Sequence, residues 1–107
     1  MSLFSIFSKS ETDLNPADFK EKFDGDKNAF LLDVRTSAEF KEGAIKGATN
    51  LDFFSSNFKA ELENLPEDRN YFVYCRSGNR SGQAVKALKN KGYTAYNLDG
   101  GIMAWPY

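Results

Sequence analysis

The fold of this chain is decided by the stretch Asn70-Tyr71-Phe72-Val73-Tyr74-Cys75-Arg76-Ser77-Gly78-Asn79-Arg80-Ser81. Its first part is rich in aromatic and β-branched residues, a composition typical of β-strands. Its second part is polar and contains a glycine, and a helical pattern follows it. The stretch therefore predicts a strand over residues 70–74, a loop that begins at Cys75, and a helix behind that loop.

The rest of the chain alternates between strand and helix signals. Further strands are predicted at residues 29–34, 48–51 and 94–98. One helix is predicted between Asn15 and Gly25, and a second from the capping-box pattern of Thr36 and Glu39 to Gly43. A third is predicted over residues 56–65. The fourth runs from the Cys75 loop to Gly92, and its buried side is predicted to carry Ala84, Val85, Ala87 and Leu88. This alternation favours an α/β fold with a mainly parallel sheet, whose ligands lie beyond the carboxyl ends of the strands. Cys75 is predicted to lie at such an end.

Length and charge restrict the classes of function. The chain has 107 residues and a formal net charge of −1. We expect one domain over residues 12–107, preceded by a short N-terminal segment, residues 1–11. A charge near zero gives no electrostatic reason to expect a nucleic-acid or membrane partner. No apolar run has the length of a transmembrane helix, and the N-terminus lacks the pattern of a signal peptide, so we expect a cytoplasmic protein.

The chain contains one cysteine and no histidine. A single cysteine cannot form an intrachain disulfide, which fits a reducing compartment. Without histidine there is no Ser-His-Asp or Cys-His machinery and no histidine-ligated zinc site. Any nucleophile in this protein must therefore be activated by another route.

The loop after Cys75 offers such a route. A thiol becomes a good nucleophile as the thiolate. Backbone N–H groups around Gly78, the N-terminus of the following helix, and the charges of Arg76 and Arg80 would all favour a thiolate at this position. The alternative is that Cys75 is a small buried hydrophobic residue at a strand end. Two arginines and a glycine within the next five residues favour the functional interpretation.

The loop from Cys75 to Ser81 resembles the active-site loop of single-domain rhodanese-like proteins. Three further segments resemble the same family in order and spacing: Leu32-Asp33-Val34-Arg35 with Glu39-Phe40, Gly43-Ala44-Ile45-Lys46-Gly47-Ala48, and Leu98-Asp99-Gly100-Gly101 through Trp105. The resemblance covers roughly residues 12–106. It departs from the family at Ala44 and Lys46, where members often carry histidine and proline.

The resemblance implies a three-layer α/β/α domain with a central, mostly parallel five-stranded sheet. It implies a sulfurtransferase that moves sulfane sulfur from thiosulfate or a persulfide donor, through a persulfide on Cys75, to a thiol or cyanide acceptor. No metal or organic cofactor is implied. The cradle around the transferred group would be formed by Arg76, Ser77, Gly78, Asn79, Arg80 and Ser81. Hydrogen bonds to Arg80 or to the loop backbone would come from Asp33, Arg35 and Glu39, although Glu39 also fits a purely local capping box.

Two alternative functions stay open at this point. In the first, the domain is a sulfur-relay or persulfide-carrier module, and a partner protein delivers the sulfur to Cys75. In the second, it is a cysteine phosphatase or arsenate reductase. Four residues separate Cys75 from Arg80, one fewer than in the cysteine phosphatases that this layout resembles. The shorter loop favours a sulfur-sized group on the cysteine over a phosphate.

Overall fold

The computed structural model describes residues 11–107, so all but the last residue of the predicted N-terminal segment lie outside the described residues. Its strands are Asp13–Leu14 (β1), Ala29–Asp33 (β2), Thr49–Asn50 (β3), Asn70–Tyr74 (β4) and Thr94–Leu98 (β5). They form one sheet in the order β1-β5-β4-β2-β3, and each of these pairings is parallel. The predicted α/β fold with a five-stranded parallel sheet is confirmed.

The helices are Pro16–Asp24 (α1), Ser37–Glu42 (α2), Phe58–Glu63 (α3) and Asn79–Asn90 (α4), and a short 3-10 helix spans Ile102–Ala104. The capping signals place two of these starts correctly. Asn15 Oδ1 accepts a hydrogen bond from Asp18 N at 2.8 Å, and Thr36 and Glu39 form the reciprocal capping box. Within residues 11–107 no helix is both long and apolar enough to cross a membrane.

Two helix predictions were partly wrong. Helix α3 begins at Phe58 rather than at residue 56, because Ser55 starts a turn in which its carbonyl accepts a hydrogen bond from Phe58 N. On α4, Ala84, Val85 and Leu88 are buried as predicted, but Ala87 is exposed. Position 87 lies one residue outside the buried stripe, where the helix already turns toward solvent.

Helices cover both faces of the sheet, which gives the predicted three layers. Side chains of β4 alternate between the faces, as the period of a strand requires. Tyr71 and Val73 belong to the core under α3 and α4. Phe72 and Tyr74 belong to the opposite core, against Phe19 of α1. The central strand is therefore buried on both sides, and its carboxyl end is fixed in place.

The chain reverses its direction of travel across the sheet between β2 and β4. The connection after β2 leads to β3 at one edge, and the connection after β4 leads the other way to β5. In open α/β sheets, ligands bind in the crevice that such a reversal creates beyond the strand ends. Asp33, the last residue of β2, is paired with Tyr74, the last residue of β4. The segments after these two residues meet at the crevice.

Candidate active site

Cys75 directly follows β4 and is 1% exposed. It belongs to the same core cluster as Val73 and Ala84. The interpretation of Cys75 as a buried residue at a strand end is thus correct about burial. It does not account for the polar groups directed at the sulfur.

Two hydrogen-bond donors converge on the Cys75 sulfur. Gly78 N lies 3.1 Å from Sγ, and the hydroxyl of Ser81 lies 3.2 Å from it. Gly78 has φ +105°, in the left-handed region that glycine adopts without steric cost. Ser81 lies in the first turn of α4 and is fully buried. The loop and the helix start therefore enclose the sulfur as the glycine pattern predicts.

These donors favour the thiolate. Burial alone would raise the pKa of Cys75, because it penalises the charged form. The hydroxyl of Ser81 and the backbone N–H groups of Ser81, Gly78 and Ser77 oppose this effect, and the net pKa of Cys75 is lowered from its ordinary value. The site can thus supply a nucleophilic thiolate without a histidine.

The segment after β5 holds the backbone of the Cys75 loop. Ile102 N donates to Cys75 O at 2.9 Å, and Met103 N donates to Arg76 O at 3.1 Å. A Cβ atom at Gly101 would lie 2.3 Å from Arg76 O, so this close approach requires glycine. Gly101 falls within a segment that resembles a family motif, but no periodic pattern predicts this contact. The Gly100-Gly101 pair was the signal that could have revealed it.

Arg80 is joined to Glu39 across the crevice. Its Nη1 lies 3.0 Å from Oε1 and its Nη2 lies 3.3 Å from Oε2, a two-point contact typical of arginine and carboxylate. Glu39 also accepts from Thr36 N at 3.0 Å. Hydrogen bonding to Arg80 lowers the pKa of Glu39 to about 2. The capping role and the predicted contact with Arg80 therefore occur together.

The two arginines of the loop are in different situations. The guanidinium of Arg80 pairs with Glu39 and lies 5.6 Å from the ring centre of Phe54. Arg76 is exposed, and within residues 11–107 its guanidinium has no hydrogen-bond or ion-pair partner. Ser77 and Asn79 are exposed beside it. Arg76 is thus the arginine available to an incoming anion, although the sequence predicts equal roles for both.

Asp33 and Arg35 lie at the same edge of the sheet but bind each other. Arg35 Nη2 donates to Asp33 Oδ2 at 2.6 Å and to Gly43 O at 2.6 Å, and Asp33 is fully buried. Among residues 11–107, neither side chain is hydrogen bonded to Arg80 or to the loop backbone. The predicted contacts of this pair were wrong, because a spacing of two residues lets the two charges meet locally.

An open cavity of about 280 Å³ lies at the mouth of the crevice. Its lining includes Arg35, Glu39, Arg76 and Met103. In the described part of the chain, no group of three or more acidic or cysteine side chains is arranged to hold a metal ion. The cavity places the cations of Arg35 and Arg76 beside the carboxylates of Glu39 and Glu42.

Known proteins support the same assignment of the fold. The family model described as rhodanese-like domain matches residues 15–106. The chain is 36% identical over 93 residues to the protein YtwF of Bacillus subtilis, covering 87% of this chain and 88% of that one. It is 40% identical over 80 residues to a sulfurtransferase of Allochromatium vinosum, covering 74% and 73%. A crystal structure of a rhodanese-related protein from Thermoplasma volcanium superposes with a TM-score of 0.75 at 33% identity, covering 87% and 88%.

Proposed function

The chain belongs to the rhodanese-like domain family, and from this premise we propose that it is a sulfurtransferase with Cys75 as the sulfur carrier. The proposed donor is thiosulfate or a persulfide, and the proposed acceptor is a thiol or cyanide. The observation that carries the proposal is the convergence of hydrogen-bond donors on one sulfur atom. Donors fixed around a position where negative charge must be held are a main source of catalysis.

The first half-reaction loads the cysteine. The Cys75 thiolate attacks the outer sulfur of thiosulfate, a new S–S bond forms, and the S–S bond within thiosulfate breaks. Sulfite leaves with the electron pair of the broken bond, and Cys75 becomes a persulfide that carries one negative charge. Arg76 would attract the doubly charged donor and offset the charge of the departing sulfite.

The second half-reaction transfers the sulfur from Cys75 to the acceptor. The acceptor attacks the outer sulfur of the persulfide, and the Cys75 thiolate leaves with the electron pair of the bond. Ser81 and Gly78 would stabilise this leaving group through the same hydrogen bonds that favour the thiolate at the start. With cyanide the product is thiocyanate. Two half-reactions through a covalent intermediate predict ping-pong kinetics.

A partner-fed sulfur relay is the second candidate, and one observation favours it. Phe54 is 72% exposed and Met103 is 69% exposed. The ring of Phe54 lies 5.6 Å from the guanidinium of Arg80, and Met103 lines the same cavity as Arg76. Large exposed apolar side chains around a site fit a protein surface better than a small anion. A reducing compartment such as the cytoplasm would suit either candidate, since both need Cys75 as a free thiol.

Steady-state sulfur transfer tests the proposal. The purified protein should form thiocyanate from thiosulfate and cyanide, and Cys75→Ser should abolish this activity. Arg76→Ala should lower kcat/KM for thiosulfate by about tenfold, the effect of losing one charge-assisted contact. Activity that survives in Cys75→Ser would contradict the proposal. Cys75-dependent hydrolysis of an aryl phosphate, without sulfur transfer, would assign the phosphatase chemistry instead.

Variants of Phe54 and Met103 distinguish a partner-fed relay from turnover of a small sulfur donor. Phe54→Ser and Met103→Ser should slow sulfur delivery from a protein persulfide much more than delivery from thiosulfate. Equal effects on both donors would argue against a docking role for these two residues.

A further inference from the structure

Asn97 connects the sheet to the Cys75 loop. It lies on β5, is 5% exposed, and is paired in register with Asp13 of the neighbouring edge strand β1. Its Nδ2 donates to Asp13 Oδ1 at 3.0 Å and to Gly78 O at 3.2 Å. Both N–H groups of the side-chain amide are thereby used, one toward the edge strand and one toward the loop.

The orientation of this amide is determined by its surroundings. Both partners of Nδ2 are acceptors, a carboxylate and a carbonyl, so the opposite orientation would direct Oδ1 at two oxygens. In the present orientation Oδ1 is buried and has no hydrogen-bond partner among residues 11–107. The amide of Asn97 is therefore held in place by the two hydrogen bonds that it donates.

The residue that Asn97 holds is the one that donates its N–H to the sulfur. Gly78 O accepts from Asn97, while Gly78 N lies 3.1 Å from Cys75 Sγ. Glycine has more backbone freedom than any other residue, so small rotations at Gly78 would move its N–H away from the sulfur. Gly78 O also accepts from Gly82 N at 3.0 Å, at the start of α4. The two bonds to Gly78 O fix it to the helix and to the sheet at once.

We propose that Asn97 is a positioning residue that keeps the N–H of Gly78 directed at the sulfur of Cys75. The inference rests on the proposed function in one respect, namely that the thiolate of Cys75 is the reacting group. Loss of the Asn97 amide would free Gly78 O on the sheet side and weaken the hydrogen bond at the sulfur.

No charged group is removed when Asn97 is replaced. Asp13, Lys86 and Asp99 line the same cavity as Asn97, and Arg80 interacts electrostatically with Cys75. Asn97 itself is neutral. A shift in the titration of Cys75 on replacing it would therefore report the lost hydrogen bonds to Gly78 O and Asp13 and not the removal of a charged group.

The test is the pKa of Cys75 in two variants and a matched control, measured from the pH dependence of alkylation by iodoacetamide and from the ultraviolet absorbance of the thiolate. Asn97→Ala removes the donor. Asn97→Thr keeps a polar residue that suits a strand but ends one bond short of the amide nitrogen. The control is Asn50→Ala. Like Asn97, Asn50 donates two hydrogen bonds through Nδ2, but its acceptors are the backbone carbonyls of Asp33 and Arg35 at the sheet edge.

Both Asn97 variants should raise the pKa of Cys75 by about half a unit, part of the effect of a complete hydrogen bond. Asn50→Ala should leave it unchanged. A wild-type pKa in either folded Asn97 variant would overturn the inference, as would an equal rise in Asn50→Ala. The measurement needs no sulfur donor. If sulfur transfer were absent and the pKa still shifted, the proposed function would fail and the positioning role would stand.

Discussion

The carboxyl ends of β2 and β4 lie side by side, and each is followed by an arginine two residues after its last residue, yet they are built in opposite ways. At the end of β2, Arg35 forms an ion pair with Asp33, two residues before it, and its Nη2 also donates a hydrogen bond to Gly43 O. At the end of β4, donors from the loop and from α4 converge on the sulfur of Cys75. The first end forms a closed unit. At the second, the hydrogen-bond donors are directed at the sulfur of Cys75, where negative charge forms.

This difference separates buried polar groups that stabilise the fold from those available for chemistry. The Asp33–Arg35 pair is also linked to the opposite core, because the guanidinium of Arg35 lies 5.6 Å from the ring centre of Tyr74, whose hydroxyl accepts a hydrogen bond from Ile45 N. The hydrogen bonds at Cys75 instead favour one protonation state of a reactive group. The two ends should therefore respond differently to substitution.

The largest expected effect is on stability at the β2 end. Arg35→Ala would leave the carboxylate of Asp33 buried without its cation, which costs about 3–5 kcal/mol in comparable buried pairs. Urea unfolding measures this loss. The control is Arg80→Ala, whose partner Glu39 is 26% exposed and can be solvated, so about 1 kcal/mol is expected. Equal losses in the two variants would remove the distinction between the two ends.

A second prediction concerns the glycine that touches the loop. Gly101→Ala should destabilise the protein by about 2–4 kcal/mol, from left-handed strain together with overpacking, and should raise the pKa of Cys75 by displacing the loop. Gly92→Ala is matched to it, since Gly92 also has a positive φ, +91°, but open space around its Cβ position. It should cost about 1–2 kcal/mol, from strain alone, and leave the pKa of Cys75 unchanged. A pKa shift in both variants would contradict the prediction.

Removal of the Ser81 hydroxyl, which contacts the sulfur of Cys75, should have a more local effect. Ser81→Ala should raise the pKa of Cys75 by about one unit, the equivalent of one net hydrogen bond to a charged group. The pH dependence of alkylation measures the shift. Ser55→Ala serves as control, because the hydroxyl of Ser55 accepts from Asn57 N in a turn before α3. An unchanged pKa in Ser81→Ala would mean that the backbone N–H groups alone set the titration.

The smallest expected effect concerns acid stability at the Glu39–Arg80 contact, which bridges the two ends. The folded pKa of Glu39, about 2, lies below the usual value of about 4.3 for an unfolded chain. The stabilisation is therefore fully present above about pH 4.3 and is lost as the pH falls toward 2. Unfolding measured from pH 7 to pH 2 should show wild type and Glu39→Gln converging at low pH, with a gap of less than about 1 kcal/mol at neutral pH. A gap that widens in acid would contradict this sign.

The sequence predicted the parts of the site that depend on local pattern. The strand that ends before Cys75, the glycine loop and the capping box of Thr36 and Glu39 are all signals within a few residues. The contacts of Gly101 and Asn97 with the loop were missed, because they join β5 and its following turn to residues about twenty positions earlier. No periodicity records such a contact. It depends on the order of strands in the sheet.

The error at Asp33 and Arg35 has a different physical origin. Their residue types suit a supporting role at the loop, and the sequence placed them at the correct edge of the sheet. Spacing alone did not show that the guanidinium would turn back onto the carboxylate two residues earlier. For Glu39, by contrast, two interpretations that competed at the level of sequence proved compatible, since one carboxylate has room for both Thr36 and Arg80.

The sharpest test of a sulfur carrier at Cys75 is the intact mass of the protein after treatment with thiosulfate, before and after addition of cyanide. We expect a gain of one sulfur atom that cyanide removes, and no gain in Cys75→Ala. A gain that persists in Cys75→Ala, or no gain from thiosulfate or any persulfide donor, would contradict a sulfur carrier at Cys75.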